Sequence, residues 1–349
     1  MKKIVFTNVS DKKRDKLNAG SKARNDVEKI LQMEGFEVKE IYHPYSFWKY
    51  SGIRYQFEKI KWMFTDEWFG FWNKIPSKSV LFFQWPFKGD EKYSRMATML
   101  KPLKRYKTIC LIHDIESIRY ENEFSKKEKQ ELLSYKFDYV IVHNRKMQQL
   151  LVNNGIYAEK ILVLEIFDYL DQNNETIKQR KYSNDIVIAG NLAKTKAEYV
   201  YQLPANGVSY HLYGEGYQKQ NREDIIYYGA YSSEEIIGEL EGSFGLVWDG
   251  GKIDTCDGVG KYLRYNNPHK ISLYIAAGFP VIIWKEAALA EFVKDNGLGF
   301  CVNNLQEISN RLSLMTEEEY ELMRKNVKCM AKKLKRGYHL ISVLEKINI

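Results

Sequence analysis

Short β-branched or aromatic runs alternate with amphipathic stretches along the whole chain, the sequence pattern of parallel β-strands joined by helices. In the first half the predicted strands are "KIVFTN", "FEVKEIY", "SVLFFQW", "KTICLIH", "DYVIVHN" and "KILVLEI". Residues 21–34 place Val27, Ile30, Leu31 and Glu34 at helical spacing and stop at Gly35. The chain therefore enters as strand, loop, helix, strand, a Rossmann-like opening. Residues 168–184, "DYLDQNNETIKQRKYSN", are polar and without apolar period, and read as a linker between two strand-rich halves. A second series follows with "DIVIAG", "VSYHLYG", "DIIYYG", "FGLVWDG", "PVIIW" and "GFCVN", and with helices predicted over 232–239 and 270–277. The expected fold is α/β, with two Rossmann-like doubly wound domains, 1–167 and 185–316, facing a central cleft. The helix-forming tail, 317–349, is expected to cross back to the first domain.

The length of 349 residues suits two cores. With 44% hydrophobic and 28% charged residues the chain is neither disordered nor fibrous. The start carries only a brief apolar run, Ile4 to Phe6, too short for a signal peptide, so a cytoplasmic protein is expected. Cys110, Cys256, Cys301 and Cys329 form no C-x-x-C pair, against a zinc knuckle or a disulfide framework. A net charge of +8 suits an anionic partner, yet the lysines are dispersed among acids and no nucleic-acid-binding signature appears. No nucleic-acid partner and no cofactor are expected; a peripheral contact with a membrane surface and a homo-oligomer stay open.

Ligands of open parallel sheets bind outside the carboxyl ends of the strands, which directs attention to the loops that follow them. "GNLAKTK" offers Gly190 and Asn191, where backbone amides can approach an anion, and Lys194 or Lys196 to neutralise it. Gly190 could equally just end a strand, with the lysines solvated. "NNPHKISLYIAAGFPVI" is more specific: Asn267 reads as a helix N-cap, Pro268 as the first helical residue, and His269 and Lys270 crowd the end where the helix dipole is positive. A cation there is mildly unfavourable unless an anion offsets it, so a phosphate seat is expected, and removing Lys270 should cost the fold little. The alternative is a solvated Lys270. His113 and Asp114, at the end of "KTICLIH", would face the cleft, although a structural histidine fits His113 equally well. His143 reads instead as the neighbour of a helix cap at Asn144. Thr7 and Asn8 begin a long polar loop, 7–20, that could close over an acceptor or simply be a solvated surface loop.

"NNPHKISLYIAAGFPVI", with "FGLVWDGG", "GKYLRYN", "QWPF", "HDIESIR" and "DYVIVHNRKMQQLLVNNG", resembles bacterial GT-B glycosyltransferases. The resemblance is to the glucosyltransferases that extend sugars on serine-rich repeat adhesins, and to related galactofuranosyltransferases. It covers most of the chain. It implies a retaining, metal-independent enzyme that moves a hexose, glucose first, from a UDP-sugar to N-acetylglucosamine on a serine-rich protein acceptor. By that resemblance Lys194 and Lys270 bind the diphosphate, Tyr231 helps hold uridine, and Asp249 and Gly250 meet the sugar. Ser272, in the same motif, joins the donor-side set, and His113 touches the sugar; Thr7, Asn8 and Asp114 lie on the acceptor side. One departure stands out. The Glu-x₇-Glu pair of the wider retaining group falls on Tyr265 and Leu273. That leaves two further readings: a galactofuranosyltransferase of envelope polysaccharide, and a non-catalytic partner with a GT-B-like body.

Overall fold

The computed structural model describes residues 2–8, 19–41, 52–54, 57, 66–87, 91–121, 123–171 and 177–349. Each predicted strand forms. β1 (Lys3–Asn8), β2 (Glu37–Ile41), β3 (Val80–Trp85), β4 (Lys107–Ile112), β5 (Tyr139–Val142) and β6 (Ile161–Val163) make one parallel sheet in the order β2-β1-β3-β4-β5-β6. β7 (Asp185–Ala189), β8 (Ser209–Tyr213), β9 (Ile225–Tyr227), β10 (Phe244–Val247), β11 (Val281–Trp284) and β12 (Gly299–Val302) make a second, ordered β12-β11-β10-β7-β8-β9. Strands covered on both faces read as unbroken apolar runs rather than as alternation, and β3, β10 and β11 are buried at every position. The order reverses between β1 and β3 in the first sheet and between β7 and β10 in the second. Such switch points open a crevice at the strand carboxyl ends.

Eight helices position the site and its supports: α1 (Ala19–Met33), α2 (Glu116–Glu121), α3 (Arg145–Asn153), α4 (Lys194–Ala197), α5 (Ile236–Glu239), α6 (His269–Ala276), α7 (Glu317–Leu334) and α8 (Tyr338–Ile347). α6 is buried along most of its length and lies on β10, where Gly245 makes room for it: a Cβ on Gly245 would sit 2.2 Å from the Tyr274 ring. The Tyr274 hydroxyl then receives the Ala189 N–H at 2.8 Å, fixing α6 to the end of β7. The helix predicted over 232–239 is shorter, α5 alone. Its first residues form a turn instead, in which Ser232 Oγ donates to Glu235 Oε2 at 2.6 Å.

The tail crosses back. Leu340, Val343, Leu344 and Ile347 of α8 pack with Val5, Val27, Ile30, Val80 and Phe82 in the core of the first sheet. The 168–184 segment joins the two sheets, but residues 168–171 and, further on, Arg180 are buried. Asp168 accepts from the His339 and Leu340 amides at 3.1 and 2.9 Å, and so caps α8. Arg180 donates to Ala277 O and Leu240 O at 3.1 and 2.9 Å. Polarity there serves buried backbone groups, which is why it carries no apolar period. Among the described residues no helix is long and apolar enough to cross a membrane.

Candidate active site

A charged cluster forms where the two switch crevices meet. Asp249 follows β10, and Lys270 stands in the first turn of α6. Lys270 Nζ donates to Asp249 Oδ1 at 2.8 Å and to Trp248 O at 3.0 Å, with side-chain exposures of 18% and 23% for the pair. The anion that offsets a cation at this helix start is thus the chain's own carboxylate. His269 adds no charge: burial, and then Lys22, push its imidazole down to about 3, and it stacks on Tyr169 at 5.0 Å.

Lys196, in α4 just beyond β7, belongs to the same cluster. Burial lowers its ammonium pKa, Asp249 opposes the shift, and Lys270 adds to it. Across the crevice, burial raises the Asp114 carboxyl pKa against the pull of Arg119, Arg24 and Lys196. Arg119 Nη1 stands 3.3 Å from Asp114 Oδ2. Two ammonium groups from the second sheet therefore face carboxylates supplied by both sheets. Gly190 bends at φ +139° and is open on its Cβ side, while Gly214 packs so tightly on it that a Cβ there would lie 1.7 Å from Gly190 O.

The remaining expected residues separate into those at the crevice and those used elsewhere. Lys194 is exposed, so Lys196 rather than Lys194 joins the cluster. Asn191 is exposed, its Oδ1 accepting from the Ala193 amide at 2.9 Å. Gly250 lies against Asp257, and Tyr231 sits beyond β9 with its ring 6.1 Å from Tyr213. His113 stands at the end of β4, stacked on Phe167 at 5.4 Å with Nε2 2.7 Å from Gln84 Oε1. Thr7 and Asn8 close β1; residues 9–18 of the loop expected to close over an acceptor lie outside the described residues.

Two residues expected to bind donor do not face the crevice. Pro268, not Asn267, is the N-cap of α6, and no side chain caps it. Asn267 is 3% exposed and spans the two halves: its side-chain amide donates to His143 O and Glu165 O at 2.8 and 2.9 Å, and its Oδ1 accepts from Asn144 at 2.8 Å. Its backbone N–H donates to His143 Nδ1 at 2.9 Å. Ser272, fully buried, donates to Phe167 O at 2.7 Å. Both amide and hydroxyl are consumed by a seam between the halves, so neither is free for a ligand. Asn144 does cap α3 as expected, accepting from the Met147 amide. Tyr262 seals the seam further on, receiving the Ile115 amide at 2.7 Å from within the first domain's core.

Three supports were not foreseen. Lys22, 2% exposed, donates at 2.6 Å to both Asp26 Oδ1 and Leu170 O, holding the crossing segment against α1. Their i,i+4 spacing on a helix was the available signal. Arg24 donates to Pro86 O at 2.6 Å, and Gln84 fixes His113; neither carries a sequence pattern.

Comparison with solved structures bears on the fold. The chain aligns over 100% of its length with 98% of sucrose-phosphate synthase from Thermosynechococcus elongatus, at TM-score 0.59 and 12% identity. It aligns equally fully with 98% of Anabaena HepE, solved with UDP and glucose, at TM-score 0.56 and 12% identity. Two parallel Rossmann-like sheets in this arrangement are the GT-B fold. Family models for the N-terminal and C-terminal domains of glucosyltransferase 3-like proteins match residues 3–166 and 186–347, and the chain belongs to that family. Relatives include β-1,6-galactofuranosyltransferase WbbI of Escherichia coli (strain K12), 33% identical over 78% of this chain and 80% of its own. Glucosyltransferase 3 of Streptococcus gordonii is 27% identical over 92% of both chains.

Proposed function

We propose that this protein transfers a hexose from a UDP-sugar to a sugar already attached to an acceptor. The observation that carries this reading is the Lys270–Asp249 pair at the start of α6, with Lys196 beside it at the switch crevice. Such a pair is exchangeable. When a diphosphate enters, Lys270 can pass from one carboxylate to a doubly charged group, assisted by Lys196 and by the positive end of α6. These groups stabilise the departing UDP as it takes the electron pair of the sugar C1–O bond, so the proposed reaction is independent of a divalent metal. Asp249, released from Lys270, then faces the sugar, with His113 meeting the same sugar from across the crevice and Asp114 on the acceptor side. Retention of configuration is the expectation that the sequence resemblance supplies.

Glucose is the first reading, supported by the glucosyltransferase 3-like family models on both domains and by the streptococcal relative; N-acetylglucosamine on a serine-rich protein is the acceptor that the sequence resemblance implies. Galactofuranose is the second, favoured by the 33% identity to WbbI. A panel of UDP-glucose, UDP-galactose and UDP-galactofuranose, with an N-acetylglucosamine-bearing serine peptide as acceptor, separates them through UDP release and product NMR. Tight UDP binding with no turnover of any donor would replace the enzyme by a non-catalytic partner protein.

A further inference from the structure

Parallel neighbouring strands need a crossover of about a dozen residues or more, usually a helix that covers one face of the strands it joins. β8 and β9 are joined by residues 214–224, which contain no helix and no strand. Tyrosines take the helix's place. Tyr201 stacks on Tyr217 at 5.6 Å, Tyr217 meets Tyr227 at 5.1 Å and 52°, and Tyr227 Oη donates to Gly214 O at 2.8 Å. Side chains fill such a face less completely than a helix. A pocket of about 270 Å³ remains, lined by Tyr217, Lys219, Gln220, Ile225, Ile226 and Tyr227.

The chemistry of the lining selects a ligand class. Ile226 and Tyr227 are 44% and 40% exposed, giving an accessible apolar and aromatic surface. The Gln220 side chain is anchored by its Nε2 on Tyr201 O at 3.3 Å, while its buried Oε1 has no hydrogen-bond partner. Buried polar atoms are normally satisfied, and the unpartnered Gln220 carbonyl oxygen in this small pocket favours a ligand bearing hydroxyl groups. A flat nucleobase calls for parallel faces. Rings tilted by 52° suit instead a puckered ring with a C–H face and a hydroxyl edge, and Lys219 adds a further donor.

We propose that this pocket is a second saccharide site, which holds one pyranose unit of the already glycosylated acceptor outside the crevice. The acceptor role rests on the transferase reading above; the binding does not. None of its lining residues belongs to the charged cluster, yet Tyr201 Oη reaches Leu192 O at 3.0 Å, in the loop after β7. A glycan anchored here raises the effective concentration of its neighbouring acceptor sugars at the crevice.

Saturation-transfer NMR on the full chain, with N-acetylglucosamine and chitotetraose as probes and the crevice filled with UDP, tests it. Sugar signals should persist under saturating UDP. Tyr227→Ala should weaken sugar binding about 2- to 12-fold, the equivalent of the roughly 0.5–1.5 kcal/mol that an aromatic contact adds, with UDP affinity unchanged. Ile226→Arg, at an exposed edge-strand position, blocks the pocket without touching the core, and should do the same if Tyr227→Ala fails to fold. Absence of sugar signals, their displacement by UDP, their indifference to both variants, or preference of the pocket for free uridine would each overturn the proposal. Sugar binding without turnover of any donor would overturn only the transferase reading, and turnover with no sugar signal would overturn only this one.

Discussion

Replacing Lys270 by alanine probes the fold and the donor site together, and the two readouts carry different signs of reasoning. In the free protein Lys270 Nζ bonds Asp249 Oδ1 at 2.8 Å and Trp248 O at 3.0 Å, and less than a quarter of either charged side chain is exposed. A hydrogen bond to a charged group contributes about 1.5–3 kcal/mol. Removing a cation from the positive end of α6 returns a few tenths to ~1 kcal/mol. The pair wins, so Lys270→Ala should be about 1–2 kcal/mol less stable in urea unfolding, the opposite of what the helix dipole alone suggests. A double-mutant cycle with Asp249→Asn isolates the coupling. For the ligand, losing one charge-assisted contact to the diphosphate should weaken UDP roughly 10- to 150-fold by calorimetry. A folded Lys270→Ala protein that binds UDP as tightly as the parent would refute the phosphate seat. Unchanged stability would show that the Asp249 pair contributes nothing to the fold.

UDP should bind with micromolar-range affinity in the presence of a chelator, and strict dependence on magnesium or manganese would count against a seat made of two ammonium groups. Asp249→Asn should depress transfer far more than UDP affinity, which should hold or tighten as Lys270 is freed; equal losses in turnover and affinity would remove Asp249 from the sugar. Asn267→Ala leaves the His143 and Glu165 carbonyls and the Asn144 amide without their buried partner, and should cost about 2–4 kcal/mol in thermal or urea unfolding, whereas a variant as stable as the parent would show that the seam is held by other contacts. Burial depresses the His143 imidazole to about 4, so between pH 6.5 and 4 the unfolded chain takes up a proton that the native protein refuses. His143's contribution is therefore intact above pH 6.5 and falls by about 2 kcal/mol at pH 5; an acid loss as large in His143→Gln as in the parent would contradict this.

The strands were legible because doubly covered strands leave unbroken apolar runs, and "SVLFFQW" and "FGLVWDG" run through the middle of their sheets. Lys270 and Asp249 each stood out singly, one by its place at a helix start and the other after a strand, but their contact spans 21 positions and has no local signature. Asn267 shows the limit from the other side. Its sequence neighbours are those of an N-cap, while its amide is claimed by residues up to 124 positions away, a competition that local spacing cannot reveal. Lys194 and Lys196 differ by only two positions, and the turn of a four-residue helix decides which of them meets Asp249. Tyr265 and Leu273, where the wider group carries glutamates, pack against separate apolar clusters, so neither position supplies a carboxylate to the crevice.

The return of α8 to the first domain has a consequence for synthesis. Translation proceeds at roughly 5–20 residues per second, so about 10–40 s separate the emergence of β6 from that of Leu340 and Ile347. Throughout that interval the face of the first sheet carrying Val5, Val80 and Phe82 has α1 against it but lacks the part of its cover that α8 supplies, although every strand of the sheet has left the ribosome. The domain made first is thus the domain completed last. A nascent chain stalled between β6 and α8 presents an apolar surface that only α8 can close, which makes it a ready client for a holding chaperone.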